Sequence, residues 1–256
     1  MINRKSTGAA LSALLLSASP VLAGRPLNIN DAPALDDRCV QVEAGVSYSK
    51  EPDCDQFDFP LGVTYGIMPG LEAGIGFGGQ FEERAETGNE NIHESGLGDL
   101  TVTAKWNPVR ESDCVPALAL APAVKFPTAD EDNGLGSGET DYDLMAIASK
   151  SIGEVLCLHA NVGYSWMGDP EGETLDDVLH YGLAVEVQVH PRVQWVGEVS
   201  VQEELTSSAE KPVQYNTGFR WSAMDDLTID VAAGSSLRGE APDFTATVGL
   251  TWIFGG

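Results

Sequence analysis

From about residue 40 to its end, the chain alternates apolar and polar residues with a period of two, segment after segment. Side chains alternate faces with that period only in a β-strand, so the pattern commits most of the chain to strands. In the last segment, Phe244, Ala246, Val248, Leu250, Trp252 and Phe254 share one face. Thr245, Thr247, Gly249 and Thr251 share the other, with Ile253 out of step. Before it, Leu227, Ile229, Val231 and Ala233 oppose Thr228, Asp230, Ala232 and Gly234. The segments 213–221 and 179–188 repeat the pattern. Others fall near 40–48, 57–66, 71–80, 98–106, 115–126, 142–150, 155–166 and 193–202. That makes about twelve strands, an even number. Two are blurred: Ala and Pro disturb 115–126, and Met145 with Ile147 disturbs 142–150.

The connections alternate too. Short turns at Met68-Pro69-Gly70, Ser151-Ile152-Gly153, His190-Pro191-Arg192 and Ala223-Met224-Asp225, and a slightly longer one at 109–114, take turns with polar loops at 49–56, 81–97, 127–141, 167–178, 203–212 and 236–243. Short turns on one side and long loops on the other are the habit of membrane barrels. Both termini fall on the short-turn side, as an even strand count requires. The strands alone do not say whether the apolar face points in or out; the aromatic residues do. Tyr48, Phe57, Tyr142, Tyr164, Trp166, Tyr181, Tyr215 and Phe244 sit at the long-loop ends. Tyr65, Trp106, Trp195, Trp221, Trp252 and Phe254 sit at the short-turn ends. Two aromatic girdles around an aliphatic band suit two membrane interfaces. Strands of about 9–11 residues suit a tilted crossing, and lipid tolerates no open sheet edge. The expected fold is all-β: a transmembrane antiparallel up-and-down β-barrel of about 12 strands over residues 39–256. A secreted sandwich with a scattered aromatic core is the alternative.

Residues 1–23 read as a secretory signal peptide, with Arg4 and Lys5 ahead of a short apolar stretch at 9–16 and small-residue cleavage after Ala23. Residues 24–38 are then expected to be an N-terminal periplasmic segment. The placement follows as the outer membrane of a Gram-negative bacterium, reached through periplasmic chaperones and the barrel-assembly machinery, with outer-membrane lipid as the surrounding partner. The chain of 256 residues carries 39 Asp and Glu against 14 Lys and Arg, a net charge of -25. That excludes binding to nucleic-acid phosphates, which rests on basic residues. With 43% hydrophobic residues it is no disordered acidic chain either.

If the apolar face meets lipid, the polar face lines a lumen. Glu43, Asp58, Glu72, Asp99, Lys105, Lys125, Asp143, His159, Glu186, Glu198, Arg220 and Asp230 are expected there. Arg220 should lie diagonally near Asp230, and His159 should face Glu186. Glu186 and Glu198 should crowd each other across the 190–192 turn. Twelve strands fall between the filled interior of eight and the water channel of sixteen, so the lumen is either a narrow pore for small-molecule solutes or a network that stiffens a closed barrel with a structural or surface role. An outer-membrane enzyme is a third reading, but the chain has no GxSxG-like elbow, and no catalytic residue and no cofactor are expected. Acidic residues crowd the long loops. Asp130 and Asp132, in Asp130-Glu131-Asp132-Asn133-Gly134, are weak candidates for a divalent cation, because the full calcium-loop spacing is missing. Cys39, Cys54, Cys114 and Cys157 lack CxxC spacing. Cys114 and Cys157 are expected on one side of the membrane, and Cys39 and Cys54 on opposite sides.

Several stretches resemble one known family. They are Gly96-Leu97-Gly98-Asp99-Leu100 running into Thr101–Trp106, Pro116-Ala117-Leu118-Ala119-Leu120 followed by Val124-Lys125-Phe126-Pro127-Thr128, the start from Arg25-Pro26-Leu27 through Asp31-Ala32 to Gln41-Val42-Glu43, and the closing Val248–Phe254. Together they resemble the outer-membrane barrels labelled “putative MetA-pathway of phenol degradation”, or transporter-like barrels, over most of the chain after residue 23. The resemblance implies an outer-membrane channel or uptake role for small molecules, aromatic compounds among them. Its motifs are strand patterns and define no active site.

Overall fold

Paired backbone is what the period-two segments become. The computed structural model describes residues 24–51, 54–85, 91–131, 135–170, 172, 174–205, 210–239 and 241–255. The stretch 1–23, read as a signal peptide, lies outside them. Thirteen strand segments follow: β1 (Val40–Glu51), β2 (Cys54–Met68), β3 (Leu71–Ala85), β4 (Asn91–Leu97), β5 (Leu100–Val109), β6 (Ala117–Phe126), β7 (Asp141–Ile152), β8 (Leu156–Trp166), β9 (Val178–His190), β10 (Val193–Glu204), β11 (Val213–Ser222), β12 (Leu227–Arg238) and β13 (Phe244–Phe254). Each pairs antiparallel with its neighbour, and β13 returns to β1, so the sheet closes. β4 and β5 both pair with β3, at its outer and inner halves. They are one wall strand broken at Gly98-Asp99, where Gly98 N–H donates to the Gly78 carbonyl at 2.9 Å. The barrel therefore has twelve walls.

Closure leaves no free polar edge inside lipid, and the pleat inverts the usual distribution of residues. On β9 the outward Leu183 is 66% exposed, while its inward neighbour Ala184 is 4% exposed. Phe59, Ile67, Val162, Phe219, Val231 and Val248 are also exposed, whereas Glu43, Glu72, Lys105, Glu198 and Asp230 are buried. The aromatic ends point outward, and several touch: Tyr48 and Phe57 lie 4.9 Å apart between ring centres, and Trp252 and Phe254 stack at 4.7 Å. A charge on this face is expected to be costly. Leu183→Arg should destabilise the barrel in lipid by about 2–4 kcal/mol, read by urea unfolding in liposomes. A loss below about 0.5 kcal/mol would place Leu183 away from the hydrocarbon.

The short turns fall close to where they were expected, the one after β7 shifted from 151–153 to 153–155, with Gly70 and Gly153 at positive φ (83° and 65°), a conformation that only Gly adopts freely. Two of the expected long loops are mostly strand. β1 reaches Glu51 and β2 starts at Cys54. β3 reaches Ala85, and β4 occupies 91–97. Beyond the membrane both strand faces meet water, so the alternation fades there while backbone pairing continues. Cys39 and Cys54 sit at opposite ends of the barrel, and Cys114 and Cys157 lie at the short-turn end.

Candidate functional site

The inside of the barrel is occupied by its own chain. Residues 24–36 do not hang below the wall; they run around the lumen. The segment enters from Cys39, at the short-turn end. The Leu35 N–H donates to Glu72 on β3. Asp31 meets Lys105 on β5 at 3.2 Å, and the Ala32 N–H donates to Ser149 Oγ on β7 at 2.8 Å. Asn30 is fully buried beside Met145, its Nδ2 3.3 Å from the sulfur. Asn28 N–H and Ile29 N–H each come within 2.8 Å of Glu198 Oε2 on β10, and Asn28 Nδ2 adds a 3.1 Å bond to Oε1. The Pro26 carbonyl accepts from Asn216 Nδ2 at 2.9 Å. Arg25 reaches Asp230 on β12 and Thr247 on β13. Arg220 on β11 donates to the Gly24 and Arg25 carbonyls.

Apolar contacts hold the same plug. Ala32 packs with Ala117, Ala119, Ala121, Met145 and Ile147, and Leu27 with Ile29 packs on Ala184 and Val196. This explains the two blurred strands. On β6 and β7 the lumen face is itself apolar where the plug rests, so the alternation of apolar and polar is lost there.

The twelve residues expected in the lumen fall into several groups in the structure. Lys105 bridges Glu72 and Asp31, both at 3.2 Å. Lys125 bridges Asp99 at 3.4 Å and Asp141 at 2.5 Å. Asp99 also accepts the Thr128 and Ala129 N–H groups at 2.9 Å, which ties the loop after β6 to the β4–β5 break. His180 meets Asp143 at 2.6 Å. His159 lies 3.5 Å from Glu186. Glu43 accepts from Thr251 Oγ1 at 3.3 Å, and Asp58 from Gln56 Nε2 at 2.9 Å. Two expectations change. Arg220 does face Asp230 across β11–β12, but it binds Glu186 and Gln194 at its tip, while Asp230 takes Arg25. Glu186 and Glu198 are not left crowding each other, because each has its own donors: Arg220 for the first, the plug backbone for the second.

Sequence reasoning missed the plug residues Arg25, Asn28, Asn30 and Asp31, and it missed Ser149. Ser149 Oγ lies 2.7 Å from His159 Nδ1, so Ser149, His159 and Glu186 form a serine–histidine–carboxylate chain. Its hydroxyl is capped by the Ala32 N–H, and Ser149 is 3% exposed. A nucleophile needs reach to a substrate, so the chain works here as an anchor for the plug. As for a cation site, Asp132 lies outside the described residues. The Asp130 carbonyl accepts the Leu135 N–H at 3.1 Å. Among the described residues, no three His, Cys, Asp or Glu gather as metal ligands.

The plug divides the lumen in two. On the long-loop side lies a cavity of about 440 Å³, lined by Leu27, Ile29, Leu135 and Met145 as well as by Asp143 and His180. On the short-turn side lies a second cavity of about 400 Å³, between 33–37 of the plug and Pro69, Gly70, Asn107 and Arg110. Glu111 lines this lower cavity. The Lys150 ammonium, then the Ser151 N–H and hydroxyl, hold its carboxyl down to about 2 and pin the turn after β5 to the end of β7.

Comparison with known proteins places the barrel among relatives. A family model described as “Putative MetA-pathway of phenol degradation” matches residues 23–254. An outer membrane channel from Pseudomonas putida F1 has a similar structure, with a TM-score of 0.73 and 16% identity, covering 88% of this chain and 98% of that one. The NanC porin aligns at a TM-score of 0.57 and 12% identity over 83% of this chain and 98% of that one. The CymD monoaromatic hydrocarbon channel aligns at 0.50 and 7%, over 100% and 94%. No curated protein matches the sequence. At these identities the likeness carries the fold, that of outer-membrane barrels.

Proposed function

The chain belongs to the family described as “Putative MetA-pathway of phenol degradation”, and from that membership we propose that it is an outer-membrane channel for small molecules, closed at rest by its own N-terminal segment. The observation that carries the reading is the pair of cavities on either side of the plug. One lies toward the long loops and the other toward the short turns, and residues of the plug line both, 25–29 the first and 33–37 the second. A barrel built only for stiffness would fill this space from its wall. Here the filling is a tethered segment that meets the wall mainly through polar contacts, which water can replace.

Leu27, Ile29 and Met145 give the upper cavity an apolar floor, and Leu135 adds an apolar side chain from the loop after β6. That floor suits solutes with an apolar body, aromatic compounds included, and the monoaromatic channel with a similar fold fits the same class. The reading is transport without chemistry: Ser149, beside His159 and Glu186, lies under the plug with its hydroxyl capped by the Ala32 N–H. The test is conductance of the full mature chain in planar bilayers, with liposome swelling in aromatic alcohols, aromatic acids and sugars. Discrete channel events and faster entry of the aromatic alcohols than of sugars of similar size are the expected result. Complete silence, with the plug anchors intact and also with them removed, would favour the second reading, a permanently closed barrel with a structural role.

A further inference from the structure

The wall holds a place shaped for a guanidinium, and at rest the plug fills it. Arg25 Nε and Nη2 approach the two carboxylate oxygens of Asp230, both at 3.3 Å, and Nη2 donates to Thr247 Oγ1 at 2.8 Å. Two oxygens facing two nitrogens is the geometry that a planar guanidinium recognises. The floor is hollowed for the flat group. Gly45 on β1 and Gly249 on β13 face each other across the pair, and a Cβ on either would come within 2.5 Å of the guanidinium carbon. Gly inside a strand marks such a close approach. Gly249 also faces Asp230 across β12–β13. The Asp230 side chain is 1% exposed, and Glu43 beside it is buried and faces the upper cavity. Among the described residues lining that cavity there are seven carboxylates, against Arg25 and Lys125.

When the plug leaves, Arg25 leaves with it. Asp230 then loses the guanidinium that hydrogen-bonds it and keeps only Arg220, facing it across β11–β12 with its tip on Glu186 and Gln194; a buried carboxylate left without a direct partner is costly. Any solute that presents the same cation gains what Arg25 gave up. On the channel reading above, we propose that this slot is a recognition site for guanidinium and amidinium groups on solutes. Arg25 occupies it as an internal stand-in, so such solutes compete with the plug. A neutral molecule of the same shape lacks the charge that the carboxylate selects.

Calorimetry on the full chain in detergent micelles tests this with methylguanidinium and its neutral shape match, methylurea. Arg25→Ala empties the slot and should bind methylguanidinium at least tenfold more tightly than the wild type, which must first displace a tethered competitor. Adding Gly249→Ala fills the floor, and adding Asp230→Asn removes the charge; either should return binding to the wild-type level or below. Because Asp230→Asn could misfold, Gly249→Ala, which leaves every charge in place, is the deciding variant, with heat-modifiable gel migration reporting the folded barrel. Methylurea should bind none of them. Equal methylguanidinium binding by Arg25→Ala and Arg25→Ala/Gly249→Ala, or no binding by Arg25→Ala, overturns the proposal. Bilayer recordings of the same variants keep the two ideas apart. Conductance without binding sinks the slot and leaves the channel, whereas binding without conductance in any variant keeps the slot and sinks the channel.

Discussion

Glu198→Ala is expected to convert a mostly closed barrel into a mostly open one. Glu198 is the strongest anchor of the plug: one carboxylate, 5% exposed, accepts the Asn28 N–H, the Ile29 N–H and the Asn28 amide. Hydrogen bonds to a charged group each contribute about 1.5–3 kcal/mol, but donors released from the carboxylate find water once the plug is out. A net loss of about 3 kcal/mol is the reasonable scale, about a hundredfold in the ratio of docked to undocked plug. What remains is the packing of Leu27 and Ile29 on Ala184 and Val196, which is apolar and indifferent to the substitution. Single-channel recording should show open time rising by one to two orders of magnitude, and thermolysin should cut before Leu27 and Ile29. Glu198→Gln keeps an acceptor and loses the charge, so it should fall between the two. If Glu198→Ala opens no more often than the wild type, the segment is a permanent part of the wall.

The barrel was legible because lipid imposes a strict rule on the outer face. Val231, Leu183 and Phe219 must be apolar whatever the lumen holds, so the period of two survives from β8 to β13. The plug was illegible for the opposite reason. A segment such as Gly24–Asp36 has no periodicity, because each residue answers to a different wall strand: Leu35 to Glu72, Ala32 to Ser149, Asn28 to Glu198, Arg25 to Asp230. Its signature is written in the wall. Gly182, on the polar face of β9, faces the Ile29 side chain, which a Cβ would meet at 2.5 Å, and a Cβ at Gly66 would overlap the Asp36 carbonyl. The small residues of the polar face record where backbone passes close by. The apolar lumen residues of β6 and β7, which looked like noise in the alternation, record where the plug packs. Period alone puts the polar residues on the face opposite Val231, Leu183 and Phe219, but it says nothing of their partners. Pairing depends on side-chain reach across several strands and on a third group, Arg25, from outside the wall.

Lys105→Met should release the other half of the plug while leaving the barrel folded. Lys105 is 3% exposed and is shared between Glu72 on the wall and Asp31 on the plug, both at 3.2 Å. Without it the buried Glu72 carboxylate loses its cation, while Asp31, whose side chain is 44% exposed, stays in reach of water; stranding a buried charge such as Glu72 costs about 3–5 kcal/mol. In a soluble core that cost falls on the whole fold. Here the system has a cheaper way out: if residues 31–36 leave the wall, water enters and Glu72 is hydrated again. The cost therefore has a ceiling, set by the contacts of that half of the plug with Ser149 and Glu72 and by the packing of Ala32. Thermolysin should then cut before Leu35 while Ile29, still held through Glu198, stays protected. The thermal unfolding of the barrel, read from heat-modifiable migration, should shift by only a few degrees. Adding Glu72→Gln removes the stranded charge and should restore much of the protection at Leu35. Cutting at Ile29 and Leu35 together in Lys105→Met would mean that the plug docks as one unit. A large fall in unfolding temperature, with both sites still protected, would mean that the segment stays docked until the barrel itself unfolds.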